Sequence, residues 1–530
     1  MTKCMTRLGI WAVGLALAAP TGLSAQEPPA RPQQEPYVVG RALPPVEAGR
    51  TLLNMTLDEA IARALESNLD IQTARLNPQI QRYSLRSAQA AFTPTLDFST
   101  SYNNSTRQST SQLDGGARTT TESFSFNTSM SKTLPWYGGR LSANFNNSRS
   151  SNNSAFSTVN PSYRSTVRLS YSMPLLAGLK IDNQRASLET ARIQSDITDL
   201  QVLAQTENIK YQVRQAYWGL RAAIEQIEIQ RRNLAQAQQQ YQDNQARVQG
   251  GRMTELQLVQ SEAQVASAQQ SLLNATIQWR NIEFSFKRLM LAGPDDGLLA
   301  QTVNPTDQPV LVDEPVDIQE AVETALASRP DIRVQRQQRV ISNVNLDVTK
   351  SNALPDVSLS ANYSLEGTGG NQYSRDGLGG DPVLVQAGGY ADGLTAIKNR
   401  DTPQWSVSLS ASYPLGTNAQ KQNLERARLQ LRQTDLALRA QELQIITQVT
   451  QAGLNVQNTY LQYEAARRNR EAAERNAESE LLRYSVGVAI NFEVLTAQNQ
   501  LTSSRLSELQ AIINHINAIN EFQRLQAVGN

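Results

Sequence analysis

Two hydrophobic periods divide this chain of 530 residues. From 94 to 173 and from 355 to 414 apolar side chains occupy every second position, and nearly everywhere else that carries a pattern they recur at spacings of 3 and 4. Leu96, Phe98, Thr100 and Tyr102 alternate with Thr95, Asp97, Ser99 and Ser101. The same alternation runs through Phe124 to Met130, Leu141 to Phe145, Val167 to Met173, Val357 to Tyr363 and Trp405 to Tyr413. A period of two predicts strands with one apolar face. The intervening residues are almost all Ser, Asn, Thr, Gln or Arg, so the second face is small and wet. Such strands suit a barrel with lipid outside and water inside, with a soluble sandwich as the alternative. Long polar loops are expected at 103–122, 148–162 and 366–402, and a tight turn at Pro135-Trp136-Tyr137-Gly138-Gly139. The Phe124 to Asn147 hairpin either enlarges the sheet or extends as a flap.

The helical segments are long. From 180 to 249 there is no proline, and Val213, Tyr217, Leu220, Ile224 and Ile227 keep a heptad. At 1.5 Å per residue, about 70 residues make a rod of roughly 100 Å. After Gly250-Gly251 the chain returns through Leu258, Val265, Leu272, Trp279 and Phe286, a period of seven expected to keep one face on a partner helix. A second hairpin is predicted over about 418–528, turning at Val486-Gly487.

The two hairpins belong to a tandem repeat. Residues 55–102 match 316–363 at a constant offset of 261, pairing Glu59-Ala60-Ile61 with Glu320-Ala321-Val322, Pro94 with Pro355 and Tyr102 with Tyr363. Later, Arg231-Arg232-Asn233, Gly251 and Phe286 fall on Arg467-Arg468-Asn469, Gly487 and Phe522. A period near 250 means two large copies of one unit, not a solenoid. The expected organisation is a leader at 1–25, a Pro-rich linker at 26–51, a first repeat at 52–292, a linker at 293–314 and a second repeat at 315–530. The first repeat holds strands over about 94–173 and a helical hairpin over about 178–291; the second holds strands over about 355–414. Thr56 or Asp58 is expected to cap the first helix.

Composition narrows the class. Lys3 and Arg7, the apolar run from Leu8 to Ala19, and Ser24-Ala25 read as a secretory signal cleaved after Ala25. The one cysteine, Cys4, lies in that leader, which leaves no thiol for a disulfide, metal site or lipid anchor. Losing Lys3 and Arg7 takes the formal charge from +1 to −1, which gives no sign of nucleic-acid binding. Mean hydropathy is −0.44 and no later apolar run approaches 20 residues, so any membrane crossing must use strands. One histidine, His515, excludes triads and multi-histidine metal sites, and Asp295-Asp296 sits in a Pro/Gly turn. No enzyme activity, cofactor or metal is expected.

In combination these features resemble the TolC-type outer-membrane efflux protein family. The residues that carry the likeness are Leu57-Asp58-Glu59-Ala60 with Asn68 and Asp70, Pro94 and Pro355, and Tyr171-Ser172-Met173-Pro174-Leu175 with Tyr413-Pro414-Leu415. Arg483-Tyr484-Ser485-Val486-Gly487, followed by Val494-Leu495-Thr496-Ala497-Gln498, completes the set. The resemblance implies an α+β membrane protein: a trimeric outer-membrane β-barrel continued by a periplasmic α-helical coiled-coil barrel. It also implies a periplasmic adaptor, an inner-membrane pump reached through it, and outer-membrane lipid as partners. The family's constriction maps onto Glu493 and Tyr484, with Thr496, Gln257 and Ala489 where relatives carry charge. The turns at Gly251-Arg252 and Val486-Gly487-Val488 would touch the adaptor. A duct for small molecules, a duct for polypeptides and, outside this class, an envelope stalk are the functions this reading leaves open.

Overall fold

The computed structural model describes residues 39–45, 49–109, 116–154, 156–311, 316–377, 380–416 and 418–526. The expected leader and most of the Pro-rich segment lie outside the described residues.

The chain enters through β1 (Thr51–Met55) and the helices α1 (Leu57–Ser67) and α2 (Leu69–Ala90). Of the two candidate caps, Thr56 is used: its hydroxyl accepts from Glu59 N–H at 3.3 Å while Glu59 Oε2 takes the Thr56 N–H at 2.8 Å. Asn68 ends α1 and caps α2, accepting from the N–H groups of Asp70 and Ile71. Pro94 then forces the extended backbone of β2 (Thr95–Gln108).

β2 is followed by β3 (Arg118–Thr133), β4 (Arg140–Asn152) and β5 (Val159–Pro174). These lead to α3 (Asn183–Gln249), α4 (Glu255–Arg288) and β6 (Gln301–Pro305). The second half runs α5 (Ile318–Ser328), α6 (Pro330–Asn352), β7 (Asp356–Ser374), β8 (Val383–Gln386), α7 (Tyr390–Asn399), β9 (Pro403–Ser412), α8 (Ala419–Ser485) and α9 (Asn491–Gln526). Between the halves, β6 pairs in parallel with β1, so the expected 293–314 linker contains a strand.

One antiparallel sheet has the order β2-β3-β4-β5-β7, with β9 along the lower part of the free edge of β7 and β8 at its upper end. The Phe124 to Asn147 hairpin therefore lies within the sheet, between β2 and β5. Cross-strand pairs such as Phe98 with Thr128, Phe145 with Val167, Leu169 with Tyr363, and Tyr363 with Trp405 keep the apolar side chains on one face. Toward the helices that face is uncovered, with Leu96 73% and Trp405 77% exposed. The strands run well into the segments expected to be loops. Ladder bonding does not need alternating hydrophobicity, and small polar residues on both faces continue it to Gln108, Asn152 and Gln372.

The short helix α7 lies against the sheet on its apolar side because Gly367 and Gly369 leave room. A Cβ on Gly367 would collide with the carbonyl of Gly393, and one on Gly369 with that of Gly389. Tyr390 stacks edgewise on Tyr163 at 6.3 Å and donates to Asn147 Oδ1 at 2.8 Å. Gly367→Val is expected to lift α7 from the sheet; limited proteolysis should then cut faster within 387–402, with the rest of the chain unchanged.

α3 and α8 each contain 67 residues, about 100 Å of helix. Val213, Tyr217, Leu220, Ile224 and Ile227 are all buried, as their heptad predicts. α4 departs from expectation: Leu258, Val265 and Leu272 are only half-buried, and the closest packing falls on Ser261, Ala268 and Ala275. Small side chains make up the buried stripe near the turn, and Trp279 and Phe286 are fully buried further along. The helices line up in a fixed order, since α2 and α4 pack on α3, α3 packs on α6 and α9, and these pack on α8. Among the described residues no helix is long and apolar enough to cross a membrane.

Candidate functional site

The two helical hairpins turn in the same way. Gly251 (φ 68°) and Gly487 (φ 80°) are left-handed, with open space around them, so glycine is needed for conformation and not for clearance. Arg252 N–H returns to Arg247 O at 2.8 Å, and Val488 N–H to Arg483 O at 2.9 Å, the six-to-one bond that closes a helix C-terminus. Around the second turn Val486, Val488, Ile490 and Phe492 are exposed, with Leu256 exposed at the first.

Behind the turns the hairpins are joined by a buried polar network. Tyr484 on α8 donates from its hydroxyl to Asn244 Oδ1 on α3 at 2.7 Å. Asn244 Nδ2 donates to Ser261 Oγ on α4 at 2.6 Å and to Asn491 Oδ1 on α9 at 3.0 Å. Gln240 Nε2 reaches Asn491 Oδ1 at 3.1 Å, and Asn491 Nδ2 donates to Ser261 Oγ at 3.3 Å. All four long helices meet here, and Asn244, Ser261 and Asn491 are at most 1% exposed. Arg247 lies over the Tyr484 ring at 4.2 Å. Burial pushes the Tyr484 phenol above its ordinary range; Asp243 adds to this and Arg247 opposes it. The hydrogen-bonded members are thus neutral across physiological pH.

Of the residues singled out in the sequence, Tyr484 belongs to this network and the rest lie outside it. Glu493 is exposed in the first turn of α9, and its Oε2 accepts from Ile490 N–H at 3.1 Å. Gln257 stands at the matching place of α4, accepting from Thr254 N–H at 3.4 Å. Both therefore cap their own helices. Thr496 is exposed and its hydroxyl donates to Phe492 O. Ala489 is buried beside Tyr484 and Val494. Sequence reasoning missed Gln240, Asn244, Ser261 and Asn491; their signal is amide and hydroxyl groups on the helix faces that meet.

The acidic pair in the turn between the halves has a structural role. Asp296 accepts from Leu298 N–H, which lowers its carboxyl with help from Ala292 N–H and Arg63 against a partial burial cost, and Asp295 is exposed. His515 is buried, 3.2 Å from Thr459 Oγ1. Among the described residues no group of three or more His, Cys, Asp or Glu side chains could hold a metal.

A strand sheet continued by two helical hairpins, joined at their turns by buried polar bonds, is the architecture of an outer-membrane channel subunit. The chain belongs to the outer membrane efflux protein family, which it matches over residues 140–290 and 321–525. Solved TolC-type channels share the fold. CusC is 18% identical with a TM-score of 0.64, the match covering 94% of this chain and 98% of that one. The CmeC outer membrane channel of Campylobacter jejuni is 17% identical at 0.62, covering 89% and 85%. The MtrE outer membrane channel of Neisseria gonorrhoeae, solved in its open state, is 20% identical at 0.59, covering 93% and 97%. No curated protein matches by sequence. The family and fold are those of channel proteins, not enzymes, and point to the bacterial outer membrane.

Proposed function

We propose that the chain is the outer-membrane subunit of a tripartite efflux system, a homotrimeric exit duct for small molecules. Its strands form a barrel in the outer membrane and its helices a periplasmic tunnel, entered through an adaptor that connects to an inner-membrane pump. The observation that carries this reading is that both lateral borders of the chain are unfinished in matching ways. On one border, α2 exposes Leu69, Leu76 and Tyr83, and α4 exposes Leu256, Ile277 and Phe284, each on a heptad stripe. On the other, α8 exposes Leu429, Leu436 and Leu443, and further along Leu454 and Leu461, with the same spacing of seven. Above them the sheet ends in β2, which continues α2, and in β9, which continues into α8. Stripes of this extent need a cover, and unlike borders meet head to tail into a ring. Native mass measurement in detergent with single-channel recording tests this. A monomer without conductance sinks it.

The exposed Val486, Val488, Ile490 and Phe492 make the turn region the adaptor's docking point. Cysteines at Arg252 or Val488 are expected to crosslink to the adaptor, and crosslinking confined to the strand-proximal ends of the helices contradicts this orientation.

In a trimer Glu493 would form a ring of three carboxylates near the tunnel's closed end, while Gln257, Ala489 and Thr496 add no charge. Glu493→Gln retains an oxygen for the Ile490 N–H and removes the charge. Reversal potentials in a salt gradient are expected to show weaker cation selectivity, with trimer assembly preserved. Unchanged selectivity would return Glu493 to a capping role alone.

A further inference from the structure

The sheet runs through six long strands, and the seam between its two halves gives a template for the seam that would close it. Six long strands run antiparallel from β2 to β9, so the two end strands point in opposite directions. Among the described residues the outer edges of β2 and β9 pair with no strand. An even, alternating set can be joined end to end with another copy without breaking the antiparallel pattern. A bare edge this long is a template for strand pairing.

The register of that junction follows from the repeat. β7 corresponds to β2 at the offset of 261 that aligns Pro355 with Pro94, and β9 corresponds to β5 at the offset of 240 that aligns Pro414-Leu415 with Pro174-Leu175. The seam between the halves is β5 with β7, in which Ser170 lies opposite Asn362, Ser172 opposite Ser360 and Leu169 opposite Tyr363. Carried across by the two offsets, Ser170 becomes Ser410, and Asn362 becomes Ser101. Likewise Ser412 falls opposite Ser99, and Leu409 opposite Tyr102. The transfer keeps the faces consistent, since serines meet serines on the polar side and Leu409 meets Tyr102 on the apolar side. A shift of one residue would set Leu409 against a serine and turn one strand over.

Resting on the trimeric reading above, we propose that three copies close one eighteen-stranded barrel, β9 of each chain pairing with β2 of the next with Ser410 opposite Ser101. The widths agree. Strands about 4.8 Å apart, tilted by about 40°, give eighteen a diameter of roughly 36 Å and twelve only about 24 Å. At any level four helices of a chain lie side by side, α2, α3, α6 and α8 near the sheet, then α4, α3, α9 and α8. Twelve helices spaced 8–10 Å apart make a ring roughly 31–38 Å across. The β3–β4 hairpin thus gives the barrel the width of the tunnel it continues.

The test uses the full-length chain with Cys4→Ser, so that introduced cysteines are the only thiols. Ser101→Cys with Ser410→Cys, oxidised in membranes, is expected to give covalent dimers and trimers. Their yield should be at least about tenfold that of the shifted pairs Asp97→Cys or Ser105→Cys with Ser410→Cys, which share the polar face but sit four residues away. Hydrogen exchange on the detergent trimer should show β3 and β4 as protected as β5. A native mass of three chains with crosslinking favouring a shifted pair overturns the register. Rapid exchange confined to β3 and β4 in that trimer overturns the eighteen-stranded count. A chain that is not trimeric removes the reading beneath both, and native mass reports that separately.

Discussion

In the proposed trimeric duct, Asn244→Ala is expected to raise the resting conductance. Asn244 is completely buried and is the one residue bonded to Tyr484, Ser261 and Asn491 together. Truncation removes the acceptor of the Tyr484 O–H and the donor to two further groups. Leaving buried polar groups unpaired costs about 1–3 kcal/mol each, so the joint between the hairpins weakens by at least that much in every subunit. In the proposed duct, opening would part these hairpins at their turns, and water would then solvate the same groups. The substitution therefore destabilises the closed state more than the open one. A loss of about 3 kcal/mol per subunit changes the local opening equilibrium by more than a hundredfold. In planar bilayers the resting conductance of Asn244→Ala should exceed the parent's several-fold, with the trimer retained. Tyr484→Phe deletes one bond and should give a smaller rise. Correctly assembled Asn244→Ala with parental conductance would remove the network from gating.

The same network sets a pH expectation. Tyr484 is its only hydrogen-bonded titratable member, and burial raises its phenol. For an acid whose folded value is raised, the closed form keeps its full stability below the ordinary phenol range. It loses stability only as alkali ionises the tyrosine freed by opening. Resting conductance should therefore be flat from about pH 5 to pH 9 in salt high enough to screen Glu493. A step near pH 6 would assign the latch to another group.

Much of this architecture is legible in the sequence, for reasons that also explain where reading stops. The strands are readable because a sheet with one apolar and one polar face puts opposite residue types on successive positions, as in Leu96 to Tyr102. Their upper ends are not, because Ser, Thr and Asn serve both faces around Arg118 to Thr121, and the period fades while the ladder goes on. The heptad in α3 is readable through large residues such as Ile224 and Ile227. Toward the turn the buried positions of α4 are Ser261, Ala268 and Ala275, small residues that leave no hydrophobic signal. At the turns Gly251 and Gly487 stand out, and the family resemblance finds Tyr484. Its partner does not stand out: Asn244 is one amide in a helix crowded with Gln and Asn, and its bond to Asn491 joins residues 247 apart. The family resemblance marks Glu493 and Gln257 as gate candidates, and their part in helix capping becomes clear only when Ile490 and Thr254 are seen to donate to them.

Glu225→Ala is expected to be the most destabilising single change away from the turns. On α3, Glu225 and Arg221 form a 3.0 Å ion pair with both side chains at most 4% exposed. The same carboxylate oxygen accepts from Gly40 N–H at 2.7 Å and Ala42 N–H at 3.2 Å, while Arg221 Nη1 donates to the carbonyls of Ala42 and Pro305. Residues 40–42 and the end of β6 are thereby fastened to the middle of the long helix. Alanine removes the acceptor for two backbone N–H groups and leaves the Arg221 guanidinium buried without its countercharge. Breaking a buried pair by deleting one partner costs about 3–5 kcal/mol, of which the stranded charge is the larger share. The expected outcome is a clear fall in the thermal midpoint followed by circular dichroism, with new protease cleavage in 39–45. Glu225→Gln keeps an acceptor but loses the charge and should fall between alanine and the parent. The double change Arg221→Met with Glu225→Leu should recover much of the midpoint, because no charge then stays buried, while cleavage at 39–45 persists because its hydrogen bonds are still missing. If Glu225→Ala melts with the parent, the pair does not hold this segment, and the attachment of 40–42 must rest on its apolar contacts.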